Sequence, residues 1–383
     1  MSSQANLATD WRAGYGPIAH RSETIERMQA LVQRLVAQRR IADEASAHAL
    51  LAAADRVACT AMSVVAHMTY ARRIDRSGCP LGSDDFKQTP EGHTGGSLNM
   101  VPAFVGYLLA NALTGTTRGW LMGQGHCVAA IEAVNALTGD VSAAQRGRYD
   151  RSEAGLSRLI ADFYSYAIDK QGRPAVPLGS HAGPNTAGAI SEGGYLGFAG
   201  LQYVHTPLPG ESLVAFLSDG AFEEQRGSDW APRWWRAEDC GFAVPIMILN
   251  GRRIEQRTQI VQEGGAAWLA EDLRHNGFDP VIIDGRDPVA IAWAIVESED
   301  TLSAFAAQSN RRYPVKFPYV IAETEKGFGF PGAATNAAHN LPLDGNPREH
   351  AQAREAFNAG AAALFVPEIE LENALTVLAN HGK

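Results

Sequence analysis

Four short apolar runs punctuate the second half of the chain: SLVAFLSDG, AVPIMILNG, DPVIIDG and PYVIAETEKG, each ending abruptly in polar or glycine residues. Between them lie stretches of helical character, Trp230 to Asp239, Ala266 to Asn276 and Asp287 to Ala307. The last opens with Asp287 as N-cap and Pro288 as first helical residue. Strands that are apolar on both faces and alternate with helices predict an α/β fold with a doubly wound, mostly parallel sheet. Such sheets bind ligands beyond the carboxyl ends of their strands, which sets Asp219, Asn250, Asp284 and Lys326 at one rim.

The first half is patterned differently. From Ser22 to Arg40, residues Ile25, Met28, Leu31, Val32, Leu35 and Val36 recur at helical spacing, with Ser22 as the expected N-cap and Glu23 and Glu26 in the first turn. A second, alanine-rich helix is expected from Asp43 to Arg72, then a long loop from Arg73 to Gly96 dense in Gly, Pro, Asp and Ser. SLNMVPAFVGYLLANALTG and CVAAIEAVNALTG read as helices, and TTRGWLMGQGH as the loop between them. The expected organisation is an N-terminal helical region over 1–75, an α/β domain over 76–343, and a helical tail or the start of a linker over 344–383.

Composition narrows the classes. With 383 residues, 45% of them hydrophobic, the chain can bury a large core. Its formal charge of −9, with no run of lysines and arginines, argues against a nucleic-acid or anionic-membrane surface. Basic residues near the rim, Arg252, Arg253 and Lys326, remain available to a phosphorylated small molecule. Cys59, Cys79, Cys127 and Cys240 lie far apart with no CxxC pair, which argues against a zinc or disulfide framework and fits a reduced, cytoplasmic setting. There is no apolar leader and no long uninterrupted apolar stretch, so a soluble chain outside the membrane is expected.

The chemistry concentrates where strands stop. Asp219 and Asn250 are hard oxygen donors of the kind Mg2+ takes alongside phosphate oxygens, and Gly220 allows close backbone approach to a diphosphate. Either residue alone reads as a helix cap or a turn. As a pair, 31 positions apart at the ends of successive strands, they resemble the thiamine-diphosphate fingerprint, with Ser218 and Gly251 as departures from its usual pattern. That resemblance implies Mg2+ held by Asp219, Asn250 and the backbone carbonyl of Arg252.

The motifs EGHTGGSLN, WLMGQGH, GSHAGPNTAGAISEGGYLG, LSDGAFEE, PIMILNGRRI and AETEKGFGFP, followed by AHNLPL, occur in the order found in the N-terminal half of phosphoketolases. The resemblance runs from about Pro90 to Leu343. It implies a thiamine-diphosphate-binding fold, His93, His126, His181 and His339 as active-site histidines, and cofactor contacts from Gly123, Gly125, Gly194, Gly220 and Ala221. Ser191 stands where the family's HEGG motif carries a further histidine. The implied activity is carbon–carbon cleavage of a ketose phosphate such as xylulose 5-phosphate, with release of acetyl phosphate.

The run SDGAFEEQRGSDWAPRWWRAEDCG is also similar to a bacterial phosphoketolase-like subgroup labelled xylulose 5-phosphate 3-epimerase, which makes epimerisation an alternative. A split transketolase subunit and a non-catalytic cofactor-binding subunit are the others. Phosphoketolases run to about twice this length, and their second domain supplies a glutamate to the cofactor's pyrimidine ring. The resemblance therefore implies a pyrimidine-binding partner chain or a missing C-terminal half, within an oligomer.

Overall fold

The computed structural model describes residues 11–173, 175–176, 207–225 and 235–379. Its centre is a five-stranded sheet of β1 (Gly119–Met122), β2 (Ser212–Ser218), β3 (Phe242–Leu249), β4 (Phe278–Asp284) and β5 (Phe317–Glu323), in the order β1-β2-β3-β5-β4. Every pairing in it is parallel; Val214 lies opposite Val244, and Ile246 opposite Val320. All strand carboxyl ends therefore share one rim, as the apolar runs predicted.

The central strands β3 and β5 are buried on both faces. In β3, Val244, Ile246 and Ile248 join one core, while Ala243, Met247 and Leu249 join a second on the opposite side. The second core is closed by α7 (Ala266–His275), through Leu269 and Leu273. The first is the larger and is filled by α1 (Ser22–Ala37), α2 (Glu44–Tyr70), α3 (Thr94–Thr114), α4 (Val128–Thr138) and α8 (Pro288–Ala306). Further helices are α5 (Glu153–Asp162), the short α6 (Asp219–Gln225), α9 (Ala351–Ala363) and α10 (Glu368–Ala379).

By length and composition α2 and α3 could each cross a membrane, yet 94% of each apolar window is buried inside this fold. Their alanines and glycines let neighbouring helices approach closely on every side, which is why both read as apolar all round. Asp43 caps α2 by accepting from the Ser46 N–H at 2.7 Å.

Three local expectations change. Ser22 opens α1 as its first helical residue; Arg21 is the cap residue and makes no side-chain cap bond, its Nε lying 2.9 Å from Asp284 Oδ2 instead. The TTRGWLMGQGH loop contains edge strand β1, too short and too exposed at Gly119 and Trp120 to show an apolar pattern. Of the stretch from Trp230 to Asp239, residues 235–239 form a loop and turn, and the rest lies outside the described residues.

A buried charge cluster fastens the N-terminal segment to this scaffold. The fully buried His20 ring lies between two carboxylates, with Nε2 3.0 Å from Asp55 Oδ2 on α2 and Nδ1 3.0 Å from Asp287 Oδ1 at the start of α8. Burial opposes the imidazolium, but Asp287 and Asp55 outweigh it and hold His20 up to about 10. A pKa raised on folding stabilises fully below the unfolded value of 6.5 and fades as pH rises through about 10. Urea titrations should therefore show stability falling across that window in the native chain and a flatter profile in His20→Gln. His20→Ala, which removes the cation from between two buried carboxylates, should cost about 3–5 kcal/mol.

Candidate active site at the sheet rim

The β2 and β3 ends are tied together by one carboxylate. Asp219, 0% exposed, follows β2 directly; its Oδ1 accepts from the Gly220 N–H at 2.9 Å and its Oδ2 from the Gly251 N–H at 2.7 Å. Gly251 has φ +76, and an added Cβ would lie 2.9 Å from Val261 Cγ2, so glycine follows Asn250 for reasons of conformation and space. Burial pushes the Asp219 carboxyl up to about 7, against the opposing pull of the Gly251 N–H and the Lys326 ammonium. Asn250 Oδ1 accepts from the Arg252 N–H at 3.1 Å, which closes the turn and turns the segment towards Lys326.

Lys326, three residues past β5, is the joint between this turn and a second group of residues. Its Nζ donates to the Arg252 carbonyl at 3.0 Å and to His339 Nδ1 at 2.7 Å. Because an ammonium can only donate, His339 Nδ1 must accept, which places the ring proton on Nε2. Burial and the Lys326 charge press His339 down to about 3, so the ring is neutral near pH 7. Burial likewise lowers Lys326, partly offset by Asp219.

Three of the four expected histidines meet beside Lys326. His93 sits at the start of α3, His126 in the 3-10 turn after β1, and His339 in a 3-10 turn after β5. Their ring centroids are 5.3 Å apart for His93 and His126, 5.7 Å for His93 and His339, and 5.8 Å for His126 and His339. Burial lowers all three, and His126 falls well below its ordinary value because His93, His339 and Lys326 add to the effect. Nδ1 of His93, Nδ1 of His126 and Oε1 of Gln124 are buried without a hydrogen bond, the state expected of groups that await a ligand. His181 and Gly194 lie outside the described residues.

The loops reach this proximity because they lack side chains. A Cβ on Gly95 would lie 2.1 Å from the Ala338 carbonyl oxygen, and one on Gly96 2.7 Å from Cys127 Sγ. Thr94 Oγ1 donates to the Asn340 carbonyl at 2.7 Å and meets Thr69 Oγ1 of α2 at 2.8 Å. Gly123 and Gly125 flank Gln124 at the end of β1, and Gly220 and Ala221 begin α6 beside Asp219.

Two positioning residues escaped the sequence reading. Asn99 of α3 donates to Thr324 Oγ1 at 3.3 Å and to the Glu325 carbonyl at 2.8 Å, and accepts from the Gly327 N–H at 3.4 Å, so it brackets Lys326. Its signal was its place in EGHTGGSLN, six residues beyond His93. Tyr164, whose hydroxyl accepts from the His93 N–H at 3.3 Å, has φ +61, a strained conformation for a bulky residue that no sequence pattern announced. Asp284 shares the rim but is engaged by Arg286, Oδ2 to Nη2 at 2.7 Å, and by Arg21, on the far strand of the sheet.

Among the described residues, no three His, Cys, Asp or Glu side chains converge on a metal position. A cation here would rest on the Asp219 carboxylate, the Asn250 amide oxygen, the Arg252 carbonyl and its ligand's own oxygens. That donor set suits Mg2+ and not zinc. Gly95→Ala should separate the loops that carry His93 and His339. Chemical denaturation is expected to show a loss of about 1–3 kcal/mol from overpacking, whereas Gly115→Ala, with open space around it, should act only through its left-handed φ of +64.

The XFP N-terminal domain model matches residues 46–360. Probable phosphoketolase 2 of Lactiplantibacillus plantarum is 25% identical over 343 residues, an alignment covering 79% of this chain and 41% of that protein. A probable phosphoketolase of Streptomyces coelicolor is 29% identical over 228 residues, covering 53% and 27% respectively. The chain thus spans well under half the length of these relatives. A transketolase mutant structure from Pichia stipitis is 16% identical, with a TM-score of 0.48, 86% of this chain and 44% of that one being covered. With a family match over most of its length, the chain belongs to the XFP N-terminal domain family, the N-terminal domain of phosphoketolases.

Proposed function

We propose that this chain is the diphosphate- and Mg2+-binding half of a phosphoketolase-type active site that cleaves a ketose phosphate such as xylulose 5-phosphate. The observation that carries the reading is Lys326, which joins the oxygen-bearing turn of Asn250 and Arg252 to the cluster of His93, His126 and His339. Asp219, Asn250 and the Arg252 carbonyl would hold Mg2+. Gly123, Gly125, Gly220 and Ala221 would let the backbone approach thiamine diphosphate; by the family motifs Gly194 would do the same and His181 would join the active-site histidines. When bound, thiamine diphosphate supplies the carbanion chemistry that breaks the bond beside the ketose carbonyl.

The chain's own residues bind, orient and move protons. Lys326 would set a positive charge against the diphosphate once the ligand enters, and its hydrogen bond keeps the His339 proton on Nε2, ready to donate to a substrate hydroxyl. His93 and His126, neutral and with buried Nδ1 atoms lacking hydrogen bonds, offer sites for further hydroxyl groups. The pyrimidine-binding half would come from a partner chain or from the remainder of a longer protein, in a cytoplasmic oligomer. The relatives above bear the name phosphoketolase, and no observation favours epimerisation, a split transketolase or a non-catalytic subunit.

Thermal unfolding tests the cofactor reading. Thiamine diphosphate with Mg2+ should raise the midpoint, and at a hundred times Kd the gain is about 2.7 kcal/mol; Asp219→Asn should lose it. A native chain that shows no shift, even with its pyrimidine-binding partner, contradicts the proposal. Product analysis of that complex with xylulose 5-phosphate and phosphate tests the reaction: acetyl phosphate is expected, and ribulose 5-phosphate in its place would establish the epimerase. In the same assay His339→Asn should lower kcat by about 10²–10⁴-fold while leaving the unfolding midpoint nearly unchanged.

A further inference from the structure

A second cavity, of about 70 Å3, lies away from the histidine cluster, between α2, the loop over residues 74–81 and the end of α9. It has room for several water molecules, the size of a small organic acid. Much of its wall is apolar, from Ile74, Leu81, Leu364 and Val366, and its polar side is furnished by Arg76, Asp75 and His67.

Arg76 is the unusual member. Its side chain is only 8% exposed, and Nη1 donates to the Arg151 carbonyl at 2.8 Å. Nη2 is buried and makes no hydrogen bond, with the nearest Glu368 carboxylate oxygen 3.8 Å away. Arg76 lines the cavity, and a buried guanidinium N–H held only by an ion pair at 3.8 Å, with no hydrogen bond, retains room for a planar anion. The neighbouring groups are already engaged. Asp75 Oδ1 accepts from the Ser77 N–H at 2.9 Å, and Asp75 Oδ2 lies 3.5 Å from Arg73. Asn358 is spent on both backbone groups of Leu81.

His67 adds an acceptor. Its Nδ1 lies 2.7 Å from the Ser63 carbonyl, which can only accept, so Nδ1 carries the proton and Nε2 holds a free lone pair. A ligand that satisfies both residues carries a single negative charge and a hydroxyl donor. A dianionic phosphate suits the cavity less well, because one guanidinium is the only cation lining it among the described residues and the Asp75 carboxylate stands beside it.

We propose that this cavity binds a small hydroxycarboxylate, with the carboxylate accepting from Arg76 Nη2, the hydroxyl donating to His67 and the carbon chain against Ile74, Leu81, Leu364 and Val366. The test titrates the full chain with sodium lactate against sodium chloride at equal ionic strength, followed by saturation-transfer NMR of the lactate methyl group. Saturable lactate binding is expected, unaffected by saturating thiamine diphosphate and Mg2+. Arg76→Gln should weaken it by at least about tenfold. Ala362→Trp, which fills the cavity from its exposed rim, should abolish it and keeps the test decisive if Arg76→Gln does not fold. No saturable binding, binding that survives both variants, displacement by thiamine diphosphate, or tighter binding of inorganic phosphate than of lactate would each overturn the proposal.

Discussion

The bonds from Asp219 to the Gly220 and Gly251 N–H groups are the constraint on which the candidate site depends. Two adjacent parallel strands end at the same rim, and their backbone groups have run out of ladder partners there. A buried carboxylate without donors would be expensive; supplied with two N–H groups it becomes a tie between the strand ends. That tie anchors the turn of residues 250–252, in which the Asn250 amide oxygen accepts from the Arg252 N–H and the Arg252 carbonyl accepts from Lys326. The requirement also accounts for Gly251, because the N–H that Asp219 needs is delivered at a left-handed φ of +76.

From that turn the dependence passes to Lys326 and then to the histidines. Lys326 is 3% exposed, and its ammonium is held by the Arg252 carbonyl, His339 and the nearby Asp219 charge. In return it fixes the His339 tautomer and helps keep the cluster neutral. Asn99 holds the loop on either side of Lys326, so α3 contributes both His93 at its start and the positioning amide six residues later. Neutral rings around one buried cation give the site an electrostatic character that suits the proposed anionic, hydroxyl-bearing ligand.

Much of this was legible in the sequence because it depends on local rules. Apolar runs that end at small polar residues located β2, β3, β4 and β5, and the rule for parallel sheets located the rim. Glycine flanks marked the loops of His93 and His126, and the clash distances at Gly95 and Gly96 show why side chains are excluded there. The elements that were missed have non-local causes. β1 is a four-residue edge strand whose first two residues are exposed, so no alternation betrays it. The bridging role of Lys326 and the bracketing by Asn99 arise only when α3 is packed against the loop after β5. The positive φ of Tyr164 is likewise imposed by its surroundings.

The central claim is that the turn tied by Asp219 is a metal–diphosphate clamp. Crystals of the chain grown with thiamine diphosphate and Mn2+, measured at the manganese absorption edge, test it most directly. The account predicts one anomalous peak within coordinating distance of the Asp219 carboxylate, the Asn250 amide oxygen and the Arg252 carbonyl, with diphosphate oxygens completing its shell. Ordered diphosphate with its metal bound elsewhere, or a rim without metal at saturating ligand, would contradict it.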